Sequence, residues 1–188
     1  MNFGQAFTYV FKDADWFKKI IIVALVSLIP VIGQMVAFGF AMEIMKRVIN
    51  NDPTPLPEFD FGGFLGKGFQ AMVINLVYYI PLIIFYIPIQ VVPFLGASMD
   101  NADVAGYLTI GVSCICGGLA FLYAILIAFV LPIALGKFNT EGSIGAAFKF
   151  GEIFPLVRKA IVPILVAILG CLIGMIIVPF GSIACGIG

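Results

Sequence analysis

Apolar residues fill four long runs of the chain, and polar residues gather between the runs. Three runs, at 68–96, 106–136 and 160–181, are long enough for a transmembrane helix, because the hydrocarbon core of a bilayer needs about 20 helical residues. The fourth run lies between the basic pairs at 18–19 and 46–47, and its single charged residue is Glu43. The pattern predicts an all-α, polytopic transmembrane helical bundle.

The fourth run can form either one kinked span or two short helices, 16–32 and 33–49. Pro30 and Gly33 suit a tight turn, because proline fixes φ and glycine tolerates positive φ. A proline kink is also tolerated within a single membrane helix. Short loops rich in Lys and Arg stay in the cytoplasm. Only the hairpin places every Lys and Arg from Lys18 onward on one side, so we predict a hairpin and about five spans.

A phenylalanine-rich, half-polar segment precedes each outward-going span. In the first segment, phenylalanines recur at helical spacing and a tryptophan follows, which predicts an amphipathic "elbow" helix lying in the headgroup plane. Its membrane-anchoring residues are expected to be Phe3, Phe7, Phe11 and Trp16. Similar segments occupy 58–69 and 143–154. The alternative is that each segment forms the first turns of its transmembrane helix.

The elbows divide one membrane domain, 1–188, into three units at 3–49, 58–136 and 140–188. Alternating prolines at 53–57 predict an extended linker between the first two units. After 181 only seven residues remain, too few for a return span. We therefore expect the third hairpin to be incomplete in this chain.

Composition assigns the chain to the membrane. Hydrophobic residues make up 62% of it and charged residues 11%, with a mean hydropathy of +1.17, whereas soluble domains carry roughly 25% charged residues. No block of one charge sign suggests a nucleic-acid partner. The N-terminus is expected in the cytoplasm and the protein in a cell inner membrane or plasma membrane.

A set of short motifs occurs in a fixed order along the N-terminal part of the chain. They are DWFKK at 15–19, LIPVIG at 28–33, the basic pair at 46–47, and LPEFDF at 56–61. In this order they resemble a family of prokaryotic integral membrane proteins known only as a domain of unknown function. The resemblance is clearest over 1–80. It implies a small polytopic protein without assigned catalytic residues, so no site residue follows from it.

Residue types argue against catalysis. The chain has no histidine, no G-x-S-x-G motif, no P-loop and no Gly-rich nucleotide fingerprint, so the usual general bases and nucleotide sites are missing. Four cysteines lie in or beside apolar runs and are expected to be packing residues, their redox state being open. We expect no enzyme activity, no cofactor and no metal.

An ionisable residue inside a membrane is a functional candidate. Glu43 is the one such residue within the spans, although an ion pair with Arg47, four residues on, is the simpler account. A passive or substrate-binding transporter or channel is the alternative function, and its polar lining would be Gln34, Glu43, Asn75 and Gln90.

Small residues at a spacing of four allow helix backbones to approach closely in lipid. Such residues are Cys116, Ala120, Ala124, Ala128, Gly170 and Gly174. Packing inside the bundle is the simpler alternative, and an interface with another membrane subunit or a second copy is the functional one. We expect a non-catalytic structural or accessory protein, in contact with the lipid bilayer and with other membrane proteins or itself.

Overall fold

A computed structural model describes residues 10–54, 56–99 and 101–184, with backbone alone for 174 and 176–184. These residues contain no strand and form five α-helices: α1 (Trp16–Ser27), α2 (Ile32–Ile49), α3 (Phe61–Gly96), α4 (Ala102–Glu141) and α5 (Phe150–Ala184). Two 3₁₀ turns, Val10–Lys12 and Ile144–Phe148, complete the secondary structure. The predicted all-α fold is confirmed.

The run between the two basic pairs folds as a hairpin, as predicted. Its turn centres on Val31, which has φ 65° and ψ −62°, and the Ile32 N–H donates to the Pro30 carbonyl across it at 2.7 Å. This is a γ-turn with positive φ, a strained conformation for a β-branched residue. Gly33 serves a different purpose from the one expected: a Cβ there would lie 2.8 Å from Ser27 Cα, so glycine lets α2 start against α1.

The structure corrects the expected number of spans. Within the described residues, three helices, α3, α4 and α5, are long and apolar enough to cross a membrane. Helix α1 has 12 residues, about 18 Å at 1.5 Å per residue, which is too short for a core of roughly 30 Å. Helix α2 is longer but carries three charged residues in its last two turns. The first hairpin therefore adds no span by length and composition.

The predicted elbows differ in outcome. The second is continuous with α3 from Phe61 onward, which agrees with the alternative that it forms the first turns of a transmembrane helix. The third contributes the 3₁₀ turn Ile144–Phe148, whose Ala146 and Ala147 are buried against the bundle. Of the first, only residues from Val10 onward are described, so Phe3 and Phe7 lie outside the described residues.

Two clusters of buried side chains hold the helices together. The larger joins α3, α4 and the start of α5 through Ile74, Tyr78, Val130, Ala134, Phe138 and Ile153. The smaller joins the hairpin, the linker and α3 through Val23, Val36, Phe40, Leu56 and Phe64. Both clusters lie where the helices contact one another, and most of the other apolar side chains on α3, α4 and α5 face outward. This distribution is that of a bundle in lipid.

Two long-range hydrogen bonds hold the last turn of α4 and the short turn before α5. The Tyr78 hydroxyl donates to the Ala147 carbonyl at 2.6 Å. Asn139 Nδ2 donates to the Met42 carbonyl, also at 2.6 Å. This region is therefore attached to both α3 and α2.

Candidate functional site

A cavity of about 470 Å³ opens between the hairpin, the linker and the start of α3. Its charged lining is Lys19, Glu43, Arg47, Glu58, Asp60 and Lys67, and its remaining wall is Thr54, Leu56, Pro57, Gly63 and Phe64. The volume falls in the range of small-molecule sites, roughly 300–1,000 Å³. We refer to it as the charged cavity.

The linker forms one wall because its ends are fixed. Leu56 is 1% exposed and its carbonyl accepts a hydrogen bond from Lys19 Nζ at 3.1 Å. Asp60 caps α3, since its Oδ1 accepts from the Gly63 N–H at 3.1 Å. The segment predicted to be an extended linker is therefore docked against the hairpin.

Two of the three lining cations are paired with carboxylates. Lys19 contacts Asp13 at 2.7 Å, and this hydrogen bond lowers the pKa of Asp13 below its ordinary value of 3.8, against the opposing effect of burial. The Asp15 N–H also donates to Asp13, at 2.9 Å. Lys67 pairs with Glu43 across the α2–α3 interface. Glu43 was expected to pair with Arg47 on its own helix, and that expectation is wrong.

Arg47 contacts neutral oxygens instead. Its Nη1 donates to the Thr54 carbonyl at 3.1 Å and to the Thr54 hydroxyl at 2.8 Å. The Thr54 N–H and hydroxyl donate in turn to Asp52, which lowers the pKa of that carboxyl group. Arg47 Nε is enclosed and has no hydrogen-bond partner in the described part of the chain. Arg47 therefore lines the cavity without an ion-pair partner among the described residues.

A second charged group lies at the same end of the bundle. Lys137 pairs with Glu141 at 3.1 Å and also with Glu152, and Lys149 pairs with Glu141 at 2.7 Å. The bond from Asn139 to Met42 places this group beside α2. Since Lys19 and Arg47 line one cavity, both basic pairs of the hairpin lie at one end of the bundle, which agrees with the predicted placement of the cations.

The four residues expected to line a polar path lie apart. Glu43 lines the charged cavity. Gln34 is exposed near the hairpin turn, where its Nε2 lies 3.4 Å from the Ser27 carbonyl. Asn75 donates to the Ala71 carbonyl of its own helix at 2.9 Å. Gln90 lines a mainly apolar groove between α3 and α4. Only Glu43 therefore belongs to a charged site.

The expected packing and anchoring residues occupy varied positions. Ala120 is buried, whereas Ala124 and Ala128 are exposed within the chain. Cys116 and Gly170 are half-buried, and the surroundings of Gly174 lie outside the described residues. Phe11 is 62% exposed, and its ring contacts the half-buried Trp16 at a centroid distance of 4.9 Å. The role of these residues in contacts with other molecules stays a prediction.

Sequence reasoning missed most of the charged cavity. Lys19 and Lys67 were used to orient the chain, Arg47 also as the expected partner of Glu43, and Leu56 and Asp60 only as part of the motif at 56–61. The sequence did contain a signal: acidic and basic residues both occur within a few residues of the start of α1, the end of α2 and the start of α3. Among the residues that the structure describes, no three His, Cys, Asp or Glu side chains converge as metal ligands would.

Comparison with known proteins gives one match. The model of a family described as protein of unknown function (DUF4013) matches residues 22–187. No curated protein and no solved structure matches the chain. The family match extends far beyond the segment 1–80, over which the motifs resembled an uncharacterised family.

Proposed function

The chain belongs to the DUF4013 family of proteins of unknown function, and from its architecture we propose that it is a non-catalytic structural or accessory membrane protein. In this proposal its transmembrane helices pack against another membrane protein or a second copy of the chain.

Helix α5 carries the proposal. Only 6% of its most apolar 18-residue window is buried inside the chain. Ile153 near its start is fully buried, but after Ile164 none of the described side chains is buried. Membrane helices associate through close packing and polar contacts rather than through a hydrophobic drive. Helix α5 thus has most of its membrane-length surface available to another helix.

Transport has less support. A proton- or ion-coupled path needs ionisable groups at mid-depth, and the polar residues expected to form a path lie at separate positions on two helices, α2 and α3. Glu43, the ionisable one, pairs with Lys67 beside the cavity at the charged end. A scaffold requires no such path.

The orientation proposed here follows the charges. The end that holds Lys19, Arg47, Lys67 and Lys137 faces the cytoplasm of the inner or plasma membrane, because Lys and Arg near span ends are retained there. The N-terminal segment lies on the same side, with the exposed ring of Phe11 in the headgroup layer as an amphipathic anchor.

The test is site-specific photo-crosslinking of the full chain in native membranes. A photoreactive residue at Leu169, which is 58% exposed on α5, should give a protein adduct of defined mass. The matched control is Leu122, 64% exposed on α4, which should give mainly lipid adducts. Lipid adducts alone at Leu169, together with a monomeric mass in mild detergent, would contradict the proposal.

A further inference from the structure

We propose that the charged cavity binds a zwitterionic head group carrying both a phosphate and an ammonium, as phosphoethanolamine does. The cavity lies at the end of the bundle where the cations gather. In a membrane protein that end meets the lipid head groups, and basic pockets between helices at this level bind lipid phosphates.

Arg47 supplies the phosphate side of the site. Its Nη1 is occupied by Thr54, while Nε has no partner among the described residues. Guanidinium groups bind phosphate oxygens through charge-assisted N–H donors. Because Thr54 occupies Nη1 and Nε is enclosed by the protein, Nη2 is the donor left for a ligand. Lys19 and Lys67 are already neutralised by Asp13 and Glu43, so Arg47 provides the positive charge that a ligand can use.

Glu58 and Asp60 supply the ammonium side. Both carboxylates line the cavity. Glu58 is exposed and forms no ion pair within the described residues, and Asp60 uses Oδ1 to cap α3. A simple anion bound at Arg47 would meet these like charges, which disfavour it. If the ligand carries an ammonium group beside its phosphate, the same carboxylates attract that ammonium group.

The apolar part of the wall fits either source of such a ligand. Leu56 and Phe64 belong both to the cavity wall and to the smaller buried cluster. Both side chains are almost fully buried, so they close the floor of the cavity and leave its charged groups to meet either a phospholipid head group or a free phosphoethanolamine. A phospholipid and free phosphoethanolamine present the same phosphate and ammonium groups, and they differ in whether a lipid chain is needed for binding.

Trp16 provides a reporter for binding. It is the single tryptophan in the chain, and it packs against the cluster that contains Leu56 and Phe64. A ligand that enters the charged cavity should therefore change the environment of Trp16 and its fluorescence.

The experiment titrates the full chain in detergent micelles with O-phosphoethanolamine, and in separate samples with micelles that contain phosphatidylethanolamine or phosphatidylglycerol. We expect saturable fluorescence changes with phosphatidylethanolamine and clearly weaker binding of phosphatidylglycerol, which lacks the ammonium. Saturation by the soluble compound too would identify a head-group site, and saturation by the lipid alone would identify a lipid site. Equal affinity for the two lipids would overturn the proposal.

Two substitutions test the two ends of the ligand. Arg47→Gln should weaken binding by about tenfold or more, as expected for a lost charge-assisted contact. Glu58→Gln should weaken phosphoethanolamine binding without weakening the binding of inorganic phosphate. Glu58 is exposed and unpaired in the described chain, so this variant should fold even if Arg47→Gln does not. Lys18→Gln, exposed and outside the cavity wall, is the control. Unchanged phosphoethanolamine affinity in Glu58→Gln would contradict the assignment.

Discussion

Gly39 of α2 and Gly68 of α3 lie backbone against backbone where the two helices cross. A Cβ at Gly68 would lie 2.9 Å from the Gly39 nitrogen and would overlap the Met35 carbonyl. A Cβ at Gly39 would lie 2.7 Å from Phe64 Cα. Because lipid offers no hydrophobic drive for helix association, such close approach is a main source of packing energy in membranes. The crossing attaches the first hairpin to the longer helices.

Replacing either glycine by alanine should loosen this crossing. We expect Gly39→Ala and Gly68→Ala each to lower the free energy of unfolding by about 1–3 kcal/mol, since the added methyl group has no space. Thermal or SDS unfolding followed by circular dichroism measures the change. Gly66→Ala, on the same helix with nothing within 4 Å of its Cβ, should be neutral or stabilising. Equal destabilisation at positions 66 and 68 would contradict the crossing.

The turn at Val31 should become less strained with glycine. A β-branched residue at φ 65° stores of order 1–3 kcal/mol, of which the extra flexibility of glycine in the unfolded chain offsets about 0.5–1 kcal/mol. We therefore expect Val31→Gly to raise the free energy of unfolding by about 1 kcal/mol. Val48→Gly, inside α2, should change stability by a similar amount in the opposite direction. A loss of stability in both variants would argue against the γ-turn.

The ion pair between Glu43 and Lys67 should appear in a double-mutant cycle. Because the two side chains are 20% and 39% exposed, screening limits the coupling to about 0.5–1 kcal/mol. The cycle compares Glu43→Gln, Lys67→Gln and the double variant by thermal unfolding. A parallel cycle with Arg47→Gln in place of Lys67→Gln is the control and should show coupling close to zero. A larger coupling of Glu43 with Arg47 than with Lys67 would instead support the ion pair within α2.

Acid should remove the contribution of Asp13 to stability. Because Lys19 lowers the folded-state pKa of Asp13 below 3.8, the stabilisation is complete above the unfolded-state pKa and is lost as pH falls through the lower folded-state pKa. We expect wild type to be more stable than Asp13→Asn at pH 6, and the difference to shrink below pH about 4. Thermal unfolding of both proteins from pH 2 to pH 7 provides the measurement. A difference that does not change with pH would exclude this ion pair as its source.

The two ends of the bundle should be accessible from opposite sides of the membrane. In a variant without the four native cysteines, Thr54→Cys reports on the charged end and Asp103→Cys on the start of α4; both positions are exposed. A membrane-impermeant thiol reagent should label position 103 in intact cells and position 54 only after the membrane is opened, if the charged end is cytoplasmic. Labelling of both positions in intact cells would contradict the orientation.

Hydrophobic patterning predicted the long helices, but not where they begin and end. The run at 68–96 lies within the helix Phe61–Gly96, and the run at 106–136 lies within Ala102–Glu141. Each helix begins before its apolar run, because the side chains of Asp60 and Asn101 accept hydrogen bonds from the first N–H groups of the helix. Charge placement predicted the hairpin correctly, whereas span counting failed because α1 ends at Ser27, before it has crossed a bilayer thickness.

The charged cavity depends on contacts that periodicity does not report. Spacing along one helix suggested Arg47 as the partner of Glu43, yet the packing of α2 on α3 turns Glu43 towards Lys67, 24 residues away. The bond from Lys19 to Leu56 spans 37 residues. Such pairings depend on the angle between helices, and the glycines that set this angle resemble any other glycines in the sequence.

Helix α5 is fixed near its beginning. The Tyr78 hydroxyl donates a hydrogen bond to the Ala147 carbonyl just before the helix, and the Ile153 side chain is fully buried. Its 35 residues make a rod of about 52 Å. Such a rod acts as a lever: a tilt of a few degrees at the pivot moves the distant tip by several ångströms. Conversely, a force applied at the tip by a neighbouring molecule would act with a long lever arm on the short turn before α5, which Tyr78 connects to α3.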